Sequence, residues 1–142
     1  MHFFIADAGI RLYIGYTPLW HTDTLCYSVM SLPYRWKKIY DSASSYILTH
    51  LDERLSIDSL CRMQAVSPYL LQQSFRAATG LSVHVFIRRM RLRKAARMMR
   101  RTPLPLKNIA LRVGFHSFSS FNHAFRKAYG CIPSVYRDKG GK

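Results

Sequence analysis

The chain has 142 residues, nearly half of them hydrophobic, which suits one domain or two small ones with a real core and excludes a disordered tail. Its 22 lysines and arginines against 7 acids give a formal charge of +15. From Ser59 to Arg137 there is no carboxylate and there are 15 lysines and arginines, so the basic surface reads as the footprint of a polyanion rather than as ordinary solubilising charge.

Residues 1 to about 34 differ from the rest. The apolar start, Phe3 to Trp20, is interrupted by Asp7, Arg11, Gly15 and Pro18, too often for a bilayer span, and it lacks the basic opening of a signal peptide. "RLYIGYTPLW" and "TLCYSVMSLPY" are rich in β-branched and aromatic residues punctuated by Pro and Gly, and predict one or two short strands and a linker ending near Pro33. From Tyr34 the pattern becomes helical. Trp36, Ile39, Tyr40, Tyr46, Ile47, His50 and Leu51 recur at three-and-four spacing, an amphipathic helix of about four turns. Ser56 is the expected N-cap of "IDSLCRMQ", with Asp58 in the first turn where the helix dipole favours an acid. Ser67-Pro68 is a cap followed by proline at the first helical position, and the helix "PYLLQQSFRAAT" stops at Gly80. A long helix follows from Ser82 to about Arg101. Its apolar stripe is read as Val83, Phe86, Ile87, Met90, Ala95, Met98 and Met99, with arginines and a lysine filling most of the remainder before Thr102-Pro103 ends it. A short helix "LKNIALRV" closes at Gly114, another runs from Ser117 to about Tyr129 and stops at Gly130, and Pro133 to Arg137 suits a final turn.

The two short-helix pairs repeat each other. Leu60, Cys61 and Ala65 match Ile109, Ala110 and Gly114 at an offset of 49, and Ser67, Leu71, Phe75, Arg76, Ala78 and Gly80 match Ser117, Phe121, Phe125, Arg126, Ala128 and Gly130 at an offset of 50. The one-residue change falls in the turn between helices, where an insertion is tolerated. This is an internally duplicated helix-turn-helix. The duplication sorts "VGFHSFSSFNHAFRK": Gly114 ends a helix at positive φ, Phe115 packs inward, Ser117 caps the second helix, and Phe121 and Phe125 make core as Leu71 and Phe75 do. Phe118, Ser119, Asn122, His123 and Arg126 are left facing outward, and the first copy presents Tyr69, Gln72, Gln73 and Arg76. Gln and Asn offer paired donors and acceptors that suit base edges in the major groove, and Arg reaches phosphate or guanine. One exposed Gln or Ser is usually just solvated; the inference rests on two such faces, both acid-free, on duplicated helices.

Other chemistry is poorly supplied. Three cysteines, Cys26, Cys61 and Cys131, are odd in number and far apart without a Cys-x-x-Cys, which indicates neither a disulfide framework nor zinc and suits the cytoplasm. His116 and His123 share a helical spacing but lack a third ligand nearby, so no metal site is expected. No nucleophile–base constellation, phosphate-cradling glycine loop or paired carboxylates occur in the acid-free region, so an enzyme is not expected, nor is a cofactor.

On these motifs the chain resembles the AraC/XylS-type transcription regulators over roughly Trp36 to Asp138. "LSIDSLCRMQAVSPYLLQQSFRAATGLSVHVFIRRMRLRKAARMM" and "LKNIALRVGFHSFSSFNHAFRKAYGCIPSVYR" carry the family's first helix-turn-helix, the R-L-x-x-A core of its linker helix (Arg91, Leu92, Ala95), its I-A-x-x-V-G-F segment and its F-x-x-x-F-R/K-K-x-x-G-x-x-P-x-x-Y-R ending. The resemblance implies an all-α fold, a seven-helix homeodomain-like bundle of two helix-turn-helix subdomains joined by a long linker helix. To this the sequence adds a short, partly extended N-terminal segment. The expected layout is an N-terminal extension over 1–34, a remnant of an effector domain, a docking arm or an alternative strand-bearing extension, then a DNA-binding domain over 35–138 and a flexible tail over 139–142. Within the domain the first helix-turn-helix covers about 56–80, the linker helix about 82–101 and the second helix-turn-helix about 105–130. Two recognition helices enter successive major grooves of double-stranded DNA. Base-reading positions map onto Tyr69, Gln72 and Gln73, and onto Phe118, Ser119, Asn122 and His123. Phosphate contacts map onto Ser67, Arg76, Ser117, Arg126 and Lys127. The implied function is a cytoplasmic, sequence-specific transcription regulator, acting as a monomer and activating through RNA polymerase, with repression equally open from the sequence. About 34 leading residues are too few for the effector domain that many relatives carry, so no small-molecule effector is expected. The alternative is an interaction module that titrates or heterodimerises with a full-length relative. One departure is local: where the family's first turn has glycine, this chain has Ala65, held at positive φ at a cost of roughly 1 kcal/mol.

Overall fold

Every helix start expected from a serine is capped by that serine. Ser56 Oγ accepts the Ser59 N–H (3.1 Å) while Ser59 Oγ accepts the Ser56 N–H (3.3 Å), a capping box built with serine instead of the usual Glu or Gln. Ser67, Ser82 and Ser117 accept the N–H of Leu70, Val85 and Ser120 at 3.2, 3.4 and 3.1 Å. The computed structural model describes residues 32–140, and these form seven α-helices. They are α1 (Tyr34–Thr49), α2 (Ile57–Gln64), α3 (Pro68–Thr79), α4 (Val83–Arg101), α5 (Leu106–Arg112), α6 (Phe118–Tyr129) and α7 (Pro133–Gly140). No strand occurs among the described residues, and the strands expected before Pro33 lie outside them. The last helix runs further than the expected turn, so Lys139 and Gly140, assigned to a flexible tail, are helical. No helix among the described residues is long and apolar enough to cross a membrane.

The helices pack around two separate cores, and α4 belongs to both. The first core joins Ile39, Ala43 and Ile47 of α1, Leu60 and Cys61 of α2, Leu71 and Phe75 of α3, and Val83, Phe86, Ile87 and Met90 of α4. The second joins Leu92, Ala95, Ala96 and Met99 of α4 with Ile109 and Ala110 of α5 and Phe121 and Phe125 of α6. Each α4 set has the spacing i, i+3, i+4, i+7 of a buried helical face. The second set is the first displaced by nine residues, about two and a half turns, so the two faces point in opposite directions. The single stripe expected from the sequence is therefore corrected. Leu92 and Ala96 are buried members that it omits, and Met98 is only partly buried.

The reason for the reversal lies in the duplication, which runs further than the helix-turn-helix. At the same offset of 50, Val83 corresponds to Pro133 and Phe86 to Tyr136. Phe75 meets Phe86 edge-on at 5.2 Å and 73°, and Phe125 meets Tyr136 edge-on at 5.3 Å and 75°. The N-terminal half of α4 thus closes the first unit as α7 closes the second, while its C-terminal half supplies the second unit's opening helix. A helix with both duties must bury opposite faces in its two halves.

The turns of the two units differ. Ala65 ends α2 in the left-handed region at φ 51, ψ 45, the only non-glycine residue with positive φ among those described. Its counterpart Gly114 has φ +89, and a Cβ there would collide with the Leu51 carbonyl and lie 2.8 Å from Arg91 Nε. That crowding comes from Arg91, which donates to the carbonyls of Leu51 (2.9 Å) and Glu53 (2.8 Å), tying α4 to the loop after α1.

Candidate nucleic-acid interface

The outward face of α6 follows from burying Phe121 and Phe125, both fully enclosed. A helix that hides these two exposes the positions half a turn away, and Ser119, Ser120, His123, Arg126 and Lys127 are all exposed. Asn122 sits on the flank, half-buried. Phe118, expected to face outward, is half-buried against the second core with its ring 6.1 Å from Phe121. Ser120 was missed by sequence reasoning, although its spacing of three and seven to His123 and Lys127 places it on their face.

On α3 the same rule applies. Leu71, Ser74, Phe75 and Ala78 are buried, Tyr69 is 71% exposed, Arg76 is exposed and Gln73 is half-exposed. Gln72 carries an added structural duty. Its side-chain oxygen accepts the backbone N–H of Val83 (3.2 Å), an unpaired donor in the first turn of α4. The corresponding pair in the second unit is Asn122 and Pro133. Proline has no N–H, so Asn122 has no such donor to satisfy. The two amides that look equivalent in sequence are therefore committed differently.

The cations surround these faces. Ser67 and Ser117 are exposed, with their oxygens occupied in capping. Ser117 also donates its hydroxyl to Ser120 Oγ at 2.9 Å. On α4, burial pushes the guanidinium of Arg91 down from its ordinary value, against the pull of Asp52; it pushes that of Arg93 down as well, helped by Arg89 and Arg97 and opposed by Tyr129. Both remain cations at neutral pH, because a free guanidinium titrates so far above it. Lys94 lies 4.0 Å from Asp52, an exposed pair too weak to neutralise the basic surface. Burial and then Asp58 raise the Cys61 thiol, which keeps it protonated and inert. Among the described residues no three His, Cys, Asp or Glu side chains are grouped to hold a metal ion.

Comparison with known proteins agrees with this geometry. A family model described as a helix-turn-helix domain matches residues 60–139. The chain is 34% identical over 91 residues to the HTH-type transcriptional regulator MtrA of Neisseria gonorrhoeae, covering 64% of this chain but 30% of that protein. It is 33% identical over 103 residues to the regulatory protein SoxS of Escherichia coli K12, covering 72% of this chain and 96% of that one. The chain thus spans under a third of MtrA and nearly all of SoxS. Among solved structures, the C-terminal domain of AraT, a response regulator from Geobacillus stearothermophilus, superposes with a TM-score of 0.70 at 33% identity, covering 74% of this chain and 88% of that one. The DNA-binding domain of the transcription factor AdpA, solved with a target DNA, shares the fold with a TM-score of 0.67 at 24% identity, covering 70% and 89%. A duplicated helix-turn-helix, two reversed cores sharing one helix, and these likenesses place the chain in the AraC-type family of helix-turn-helix, DNA-binding transcription regulators.

Proposed function

We propose that the chain binds duplex DNA sequence-specifically as a monomer, with α3 and α6 entering successive major grooves. The observation that supports this most strongly is the pair of exposed, acid-free faces on duplicated helices, joined by the single helix α4. Successive grooves on one side of B-DNA lie roughly 34 Å apart, which gives an asymmetric site of about 20 base pairs. Tyr69 and Gln73 on α3, and Ser119 and His123 on α6, stand at the centres of these faces. Gln72, Asn122 and the edge of the Phe118 ring flank them. Ser67 and Ser117 at the starts of α3 and α6, and Arg76, Arg126 and Lys127 in their last turns, serve as phosphate anchors. Residues 34–140, from α1 to α7, form the DNA-binding unit. Regulation in the cytoplasm through contact with RNA polymerase extends this reading, on the strength of the family.

Selection of bound sequences from a random duplex library tests it. A single asymmetric site bound by one copy is expected, and a palindrome needing two copies overturns the monomer reading. Asn122→Ala should relax preference at particular positions, with about 1–3 kcal/mol lost for a good base contact, while Arg76→Ala should weaken all sequences about equally. Gln72→Ala should additionally loosen the start of α4, because the Val83 N–H loses its acceptor. Uniform weakening by Asn122→Ala would show that it anchors rather than reads.

A further inference from the structure

A cleft of about 670 Å³ lies between the two units, walled by the N-terminal half of α4 and by the turn and first half of α6. Its polar lining includes His84, Arg88, Arg91, His116, Ser119 and Ser120, with His123 at the α6 wall. The loop after α1 contributes Leu55, and no carboxylate lines the cleft. Arg91 has spent donors on the Leu51 and Glu53 carbonyls. His84, Arg88, His116 and His123 are exposed. The cleft borders the candidate reading face of α6 through Ser119 and His123, and His84 on its α4 wall directly follows Val83, whose N–H is held by Gln72 of α3.

We propose that this cleft is a third DNA contact, a seat for the phosphodiester backbone that crosses between the two grooves, with Arg88 as its cation and the exposed imidazoles of His84 and His116 as further hydrogen-bond donors. The inference rests on the duplex-binding reading above. Two helices reading adjacent major grooves straddle a stretch of sugar-phosphate backbone, so whatever fills the gap between them is a chain of anions. Guanidinium, imidazolium and hydroxyl groups are the donors that such oxygens accept from.

The test uses the full chain and a fluorescent duplex carrying the library-selected site, read by anisotropy across a salt series. Arg88→Gln should weaken selected and scrambled duplexes alike, about three- to tenfold, and lower the salt slope by about one. His84→Ala with His116→Ala, which spares His123 as a candidate base reader, should likewise weaken selected and scrambled duplexes alike. Neutral methylphosphonate linkages between the two groove sites should weaken the wild type and leave Arg88→Gln with His84→Gln nearly unaffected. These side chains are exposed, so unchanged circular dichroism is expected of every variant. If central methylphosphonates leave wild-type affinity intact, or if the variants match wild type while Arg76→Ala still weakens binding, the cleft proposal falls and the duplex-binding reading stands. If the wild type binds no duplex at all, both fall.

Discussion

Two residues at equivalent turns show how differently one backbone shape is tolerated. Ala65 holds φ 51 with its side chain exposed, so the strain is local. Replacing it by glycine removes the steric cost but adds freedom to the unfolded chain, for a net gain of about 0.5–1 kcal/mol. Urea denaturation should show the midpoint rising with unchanged slope; a lower midpoint would mean the turn is not strained. Gly114 is the opposite case, because its Cβ would strike the Leu51 carbonyl as well as require positive φ. Gly114→Ala should therefore cost more than about 2 kcal/mol and disturb the Arg91 hydrogen bonds. Gly80 and Gly130, with open space around them, pose only the conformational question.

At the scale of the element, α4 is the one that matters. Its two halves feed disjoint cores, so a cavity in one should barely register in the other. Phe86→Ala should cost about 3–5 kcal/mol and Leu92→Ala about 2–5 kcal/mol. Hydrogen exchange should then show Phe86→Ala loosening α2 and α3, and Leu92→Ala loosening α5 and α6. Equal loosening of both units by either change would mean that the cores act as one. Legibility in the sequence divides along the same line. The serine caps, the glycine stops and the inward Phe121 and Phe125 were readable because each depends on neighbours within a turn or two. The reversal in α4 was not, since fitting one stripe to Val83 through Met99 assumes a single core. The Gln72–Val83 bond escaped for a similar reason. It crosses from one helix to the next, and only the fold reveals that the second copy replaces its donor with Pro133.

The whole molecule carries +15, and salt should act on it in two opposed ways. Screening eases self-repulsion in the free chain, so its melting temperature should rise between low and moderate salt. The same salt should weaken duplex binding, with a log–log slope of roughly −5 to −7 if about six to eight phosphates are neutralised. Calorimetry of the free chain and anisotropy of the complex across one salt series check both signs. A melting temperature that fell with salt would mean that specific ion pairs outweigh the general repulsion.

The nine-residue displacement within α4 also makes the helix a crankshaft. One inserted residue between Met90 and Leu92 would lengthen the shaft by only about 1.5 Å, yet twist one throw against the other by about 100°. Point substitutions on α3 or α6 leave that angle untouched, whereas a single insertion or deletion in the shaft resets it.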